Sequence, residues 1–207
     1  MFAIIVGMFC ILPAIVGIYK FKQMDAVQHP FVYSIWLSVM VEVIARWAWF
    51  AKNKQVYNTN YNVFMVLNFA LCLWFFSNLK VIKKTWVLIL IAVSIVLKFS
   101  ENHYFTQWHL LNISSIFECA FLIIFSVKIL AQNILFTEKK LEISPIFIIT
   151  ISLLGLNLFD ILNTILGWIF PISKSLTNTV NTIFVVVNAL VYITYTHAFL
   201  CTQPNKK

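Results

Sequence analysis

The chain has little charge and few of the residues that make loops. Only 11% of its 207 residues are charged, and it contains 4 glycines and 5 prolines. Soluble domains carry about 25% charged residues, so this chain cannot cover a surface that faces water. The four cysteines lie far apart, inside or at the end of apolar segments, which excludes a disulfide-stapled secreted module.

Apolar residues are what the sequence has in abundance, since they make up 61% of the chain and include 20 Phe and 7 Trp. A bilayer core needs about 20 apolar residues per spanning helix. By this length the sequence predicts seven transmembrane helices, at residues 2–19, 31–51, 59–79, 85–100, 106–130, 145–170 and 178–201. We therefore predict an all-α, polytopic membrane protein that forms one helical bundle over residues 1–207, without a soluble domain.

Lysines between these segments favour one orientation, because cytoplasmic loops carry an excess of Lys and Arg. One side would carry Lys20, Lys22, Lys80, Lys83, Lys84, Lys139, Lys140, Lys206 and Lys207, and the other only Lys52, Lys54 and Lys174. The pattern predicts the N-terminus outside and the C-terminus in the cytoplasm. The net charge of +8 is then expected to contact anionic membrane lipids and not nucleic acid.

Four ionisable residues inside the predicted spans are considered individually: Glu42, Arg46, Glu118 and Asp160. A charged group in the bilayer costs about 2.5–3.5 kcal/mol, so these side chains should face the bundle interior. Glu42 and Arg46 have the spacing of an ion pair on one helix face, which is structural or lets Arg46 bind an anionic group. Glu118 and Asp160 are interpreted either as a proton or cation site or as neutral acids that hydrogen-bond between helices.

Carboxamides add to this polar set in several of the same spans. With about 1.5 Å of rise per residue, most of these polar groups lie in the outer half or middle of the bundle. The amides concerned are Asn68, Asn112, Asn157, Asn163 and Asn188. A single buried Asn usually joins two helices, but several helices with polar groups at one depth favour a hydrated cavity that opens outward.

Other chemistry finds no support in the spacing of residues. The four histidines divide between the two predicted sides, so they cannot converge on one metal ion, and no nucleophile or phosphate-loop motif occurs. The last span lacks the lysine that a retinal Schiff base would need. The sequence thus predicts no catalytic residue, no metal and no cofactor.

Single polar residues in the spans also carry a resemblance. They are Glu42, the segment NYNVFMVLN over residues 60–68, Asn112 and Glu118 in LNISSIFE, Asn157 and Asn188. In this layout the chain resembles an uncharacterised group of small seven-helix inner-membrane proteins of Bacteroidetes-type bacteria. The resemblance implies a multi-pass protein of a bacterial inner membrane and carries no activity with it.

Three functions remain, in order of preference. The first is binding, and in an extended form translocation, of a small polar or amphipathic ligand in an outward-facing cavity. The second is a non-enzymatic accessory or pore-forming subunit, for example of a bacterial antiviral or CRISPR system, with a protein partner or further copies of the chain. An intramembrane lipid-modifying enzyme ranks last, because no catalytic motif supports it.

Overall fold

The protein is described by a computed structural model over residues 9–104, 113–136, 144–169 and 174–202. This part of the chain contains no strand and forms seven α-helices. They are α1 (Ile11–Lys20), α2 (His29–Phe50), α3 (Lys54–Asn78), α4 (Lys84–Tyr104), α5 (Ile113–Phe136), α6 (Pro145–Ile169) and α7 (Lys174–Leu200). The prediction of an all-α protein is confirmed.

Five of these helices are long and apolar enough to cross a membrane: α2, α3, α5, α6 and α7. The remaining two differ from them for separate reasons. Helix α1 has 10 residues in the described part of the chain, and residues 2–8 of the first predicted span lie outside it. Helix α4 carries Lys84, Lys98 and Glu101. The chain is therefore a helical protein of membrane type, and the crossing of all seven helices stays a prediction.

Helices α3 and α4 extend beyond the ends that the hydropathy pattern predicts. Helix α3 begins at Lys54 and not at residue 59, because the Asn53 side chain accepts a hydrogen bond of 3.1 Å from the Val56 amide and caps the helix. Lys52 supports this turn with a φ of 53°. Helix α4 continues to Tyr104, beyond the predicted end at residue 100, because polar side chains in its last turns find partners on α5.

The helices form a ring in chain order. Each contacts the next one along the chain, α1 also contacts α7, and α3 also contacts α5. Gly17 lies where α1 meets α2 and α7, and a Cβ there would approach Val32 Cγ1 to 3.1 Å and Phe199 Cε2 to 3.6 Å. A small residue at this crossing allows the three helices to pack closely, as in other membrane bundles.

One end of the bundle has a dense aromatic core, which we call the packed end. It lies where α2 begins and where α3 and α7 end. Phe31 contacts Tyr195 with ring centroids 4.7 Å apart and Phe75 at 5.9 Å, and Phe76 contacts Phe125 at 5.7 Å. Phe75 and Phe76 are fully buried. Such contacts between aromatic rings stabilise the packing of helices in a membrane, because lipid tails are apolar and no hydrophobic effect drives the helices together.

The opposite end, which we call the open end, is where α2 ends and α3 and α7 begin. The buried residues of α3 are confined to Phe69–Phe76, and none occurs between Lys54 and Asn68. Helix α7 shows the same pattern, because its described side chains are buried only from Asn188 onward. Helix α2 is packed along its whole length, with Ala45 and Ala48 buried near the open end, and α5 has buried residues from Ser114 in its first turn onward.

Candidate functional site

Glu42 and Arg46 form the ion pair that their spacing predicts. Arg46 Nε lies 3.9 Å from Glu42 Oε2, and the two side chains are 34% and 29% exposed. The Tyr61 hydroxyl of α3 donates to Glu42 Oε1 at 3.3 Å. The pair therefore lies at the open end, oriented by α3 and still accessible to a bound molecule.

Asn68 joins two helices. Its Oδ1 accepts a hydrogen bond from the Ser34 hydroxyl of α2. About two helical turns closer to the start of α3, Asn60 Nδ2 donates to the Val41 carbonyl of α2 at 3.0 Å. These two amides therefore join α3 to α2 by hydrogen bonds. Asn68 makes its polar contact between the two helices near the middle of the bundle.

Asn157 and Asn188 are buried, but each bonds to its own helix. Asn157 Nδ2 donates to the Leu153 carbonyl at 2.7 Å, and Asn188 Nδ2 donates to the Phe184 carbonyl at 2.9 Å. Within the described part of the chain, no hydrogen bond to either side-chain oxygen is seen. Asp160 and Asn163, one and two turns beyond Asn157 on α6, are half-buried.

Electrostatic interactions connect several of these groups through the bundle interior. The Tyr192 hydroxyl of α7 interacts with both Glu42 of α2 and Asp160 of α6. Cys119 of α5 interacts with Asp160 and with Glu118. Among the predicted site residues on these helices, Glu118 of α5, Asn157 of α6 and Asn188 of α7 are buried.

The strongest polar contacts lie elsewhere, between α4 and α5. Ser94, Lys98, Glu101, Ser114 and Glu118 form what we call the α4–α5 cluster. Ser94 Oγ donates to Glu118 Oε1 at 2.5 Å, and Glu101 accepts two hydrogen bonds from Ser114, at 2.7 Å from the amide and 2.6 Å from the hydroxyl. Ser94 and Ser114 are 0% exposed, and Glu118 is 5% exposed.

Lys98 supplies the positive charge of this cluster. Its Nζ donates to Ser114 Oγ at 3.2 Å and lies 3.7 Å from Glu101 Oε2. Hydropathy assigned Glu101 to a loop and left Ser94 and Lys98 out of the predicted site. The signal was present in their spacing, because residues 94, 98 and 101 fall on one helical face, as do 114 and 118 on the next helix.

The interpretation of Glu118 and Asp160 as one proton or cation site stays a prediction; among the described residues no hydrogen bond joins the two side chains. Glu118 accepts a hydrogen bond from Ser94 of α4, a partner that residue spacing along one helix does not predict. Asn112, also predicted for the site, lies outside the described residues. Among the described residues, no three His, Cys, Asp or Glu side chains could hold a metal ion together.

Two grooves border the first half of α3. One, of about 720 Å³, lies at the turn between α2 and α3 and is lined by Trp49, Phe50, Lys52 and Tyr57 among others. The other, of about 410 Å³, runs between α3 and α4 and is called the α3–α4 groove. Both fall in the volume range of small-molecule sites, which is about 300–1,000 Å³.

Comparison with known proteins finds no family model, no curated protein and no solved structure that matches the chain. The resemblance drawn from single polar residues stays a prediction.

Proposed function

We propose that the protein binds a small polar or amphipathic ligand inside the open end of its membrane-spanning bundle. The main observation behind this proposal is that α3 and α7 are buried at the packed end only. Their described side chains toward the open end are not buried, and several of these are polar. We expect space beside the side chains of this end that are not buried, and ionisable groups in that space require water or a polar ligand.

Particular residues have distinct roles in this proposal. Arg46 provides a positive charge for an anionic group, and Glu42 orients it through the 3.9 Å ion pair. Asp160 and Asn163 provide polar contacts from α6, and Asn188 offers its side-chain oxygen from α7. Glu118 contributes indirectly, because its carboxylate is bonded to Ser94.

The proposal includes a direction. In it the open end faces the outside of a bacterial inner membrane, as the distribution of lysines predicts. Translocation would be a further step and would require the aromatic contacts of the packed end, such as Phe31 with Tyr195, to separate.

Thiol labelling tests whether the open end holds water. The four native cysteines are replaced by alanine, and single cysteines are introduced as Asp160→Cys and Asn188→Cys. A membrane-impermeant methanethiosulfonate should modify both from the open side, because only a hydrated thiol forms the reactive thiolate. Leu158→Cys is the matched control, since Leu158 is 45% exposed on the same helix and should contact lipid.

Binding is then measured as protection of these thiols. Octanoate should slow the labelling of Asn188→Cys, and Arg46→Gln should abolish that protection while labelling without octanoate continues. Equal labelling of Leu158→Cys and Asp160→Cys, or no labelling of either open-end cysteine, would contradict the proposed cavity.

A further inference from the structure

A buried lysine, Lys98, is one of the residues that line the α3–α4 groove. Lys98 is only 7% exposed, yet it lines this groove together with residues of both helices. A buried lysine is costly in a bilayer unless an anion or a set of acceptors compensates its charge. The contacts of Lys98 therefore show what the groove can accept.

Lys98 has weak partners for a buried cation. In the described part of the chain, the nearest carboxylate oxygen is Glu101 Oε2 at 3.7 Å, and the closest acceptor is Ser114 Oγ at 3.2 Å. The third contact is the Met65 thioether at 3.7 Å. An ammonium group bonded to a carboxylate usually has a contact of about 2.7–2.9 Å, so Lys98 retains capacity for a closer anion.

The two neighbouring carboxylates are already compensated from other directions. Glu101 is held by the amide and hydroxyl of Ser114 in the first turn of α5, where the helix dipole also stabilises a negative charge. Glu118 is held by Ser94, one turn away from Lys98 on α4. Within the described residues no hydrogen bond joins either carboxylate to the ammonium group, and Glu101 contacts it only through the 3.7 Å ion pair.

The lining of the groove changes from polar to apolar along its length. Thr59 and Asn62 lie with Lys98 toward the open end, where α3 begins and α4 ends. The deeper lining is apolar and consists of Val63, Val66, Leu67 and Ile95, with Phe99 at the side. This gradient matches a molecule with one anionic group and one hydrocarbon chain.

We propose that the α3–α4 groove binds a long-chain monocarboxylate, whose carboxylate contacts Lys98 and Asn62 and whose chain lies against Val66, Leu67 and Ile95. This site is separate from the interior site of the proposed function, because it opens between two helices and does not use Arg46 or Asp160. Charge complementarity with Lys98 and the groove volume of about 410 Å³ are the grounds for this ligand class.

Photo-crosslinking tests this site directly. The full chain is placed in nanodiscs of phosphatidylcholine and illuminated with a palmitate that bears a diazirine on its chain. Peptide mapping should find crosslinks within residues 59–67 and 95–99, and unmodified palmitate should compete while hexadecanol should not. Lys98→Gln should weaken palmitate binding about tenfold or more, because a charge-assisted contact is lost.

Matched variants separate binding from folding. Lys84→Gln removes the charge of an exposed lysine on the same helix and should leave palmitate binding unchanged. Val66→Trp fills the groove and keeps Lys98, so it should abolish crosslinking in a folded protein. If Lys98→Gln does not fold, Val66→Trp decides the question, since unchanged palmitate binding by that variant would overturn the proposal.

Competition by other lipids tests whether the groove binds a ligand of a different chemical class. Equal competition by hexadecanol would show that no carboxylate is recognised. Stronger competition by hexadecylamine would show that Glu101 and Glu118 govern the groove, and competition by phosphatidylglycerol alone would indicate a headgroup site. Each of these results overturns the proposal, and none of them depends on octanoate protection at the open end.

Discussion

The two ends of the bundle use different interactions. At the packed end, Phe75, Phe76 and Phe199 are fully buried and contact aromatic residues of neighbouring helices. At the open end, Glu42 and Arg46 are about one third exposed, and α3 has no buried residue before Phe69. The difference indicates that the packed end determines stability, and that the open end tolerates space and polar groups because the packed end holds the helices together.

Removing an aromatic ring at the packed end is the strongest test of this contrast. Phe75→Ala should lower the free energy of unfolding by about 3–5 kcal/mol, because it leaves a cavity among tightly packed rings. Phe50→Ala is the control, since Phe50 is 72% exposed at the open end, and it should change stability by about 0.5 kcal/mol or less. Unfolding is followed by titration with SDS in mixed micelles, and similar effects of the two variants would remove the distinction between the ends.

The α4–α5 cluster provides a second test of the difference between the two ends, because it is buried although it contains charged side chains. Glu101→Gln should destabilise by about 3 kcal/mol, since it leaves the Lys98 ammonium without its carboxylate. The double variant Lys98→Gln with Glu101→Gln should be less destabilised than the sum of the two single changes. Additive effects in the same SDS titration would mean that the 3.7 Å pair contributes nothing to stability.

The amides of Asn68 and Asn188 should respond differently to removal. Asn68→Ala breaks a hydrogen bond between α2 and α3 and should cost about 0.6 kcal/mol. Asn188→Ala breaks a bond within α7 only, so its effect on unfolding should be smaller. A larger loss for Asn188→Ala would indicate that its side chain joins helices.

The smallest effect on stability is expected at the Glu42–Arg46 pair. Because both side chains are partly exposed and 3.9 Å apart, Arg46→Gln should lower the free energy of unfolding by about 0.5 kcal/mol or less. The same variant should abolish octanoate protection in the labelling experiment. A large loss of stability with unchanged protection would assign Arg46 to structure and not to binding.

Helix number and several helix ends could be predicted from hydropathy, because apolar runs separated by lysine-rich segments such as KVIKK leave few alternatives. The start of α3 could not, since Asn53 caps a polar first turn that hydropathy assigns to a loop. The pair of Glu42 and Arg46 could be predicted because both residues lie on one helix. The α4–α5 cluster could not, because the pairing of Glu101 with Ser114 and of Glu118 with Ser94 depends on how two helices are rotated against each other.

Closure of the ring by α1 and α7 has a consequence for assembly. These two helices are separated by most of the chain, yet Gly17 of α1 lies beside Phe199 of α7. During synthesis α7 emerges after all the others, so the early helices must wait in the bilayer with one flank covered only by lipid. Helix α7 therefore completes the bundle. If translation stops before α7, the surfaces of α1 and α6 that α7 covers would stay exposed to other proteins in the membrane.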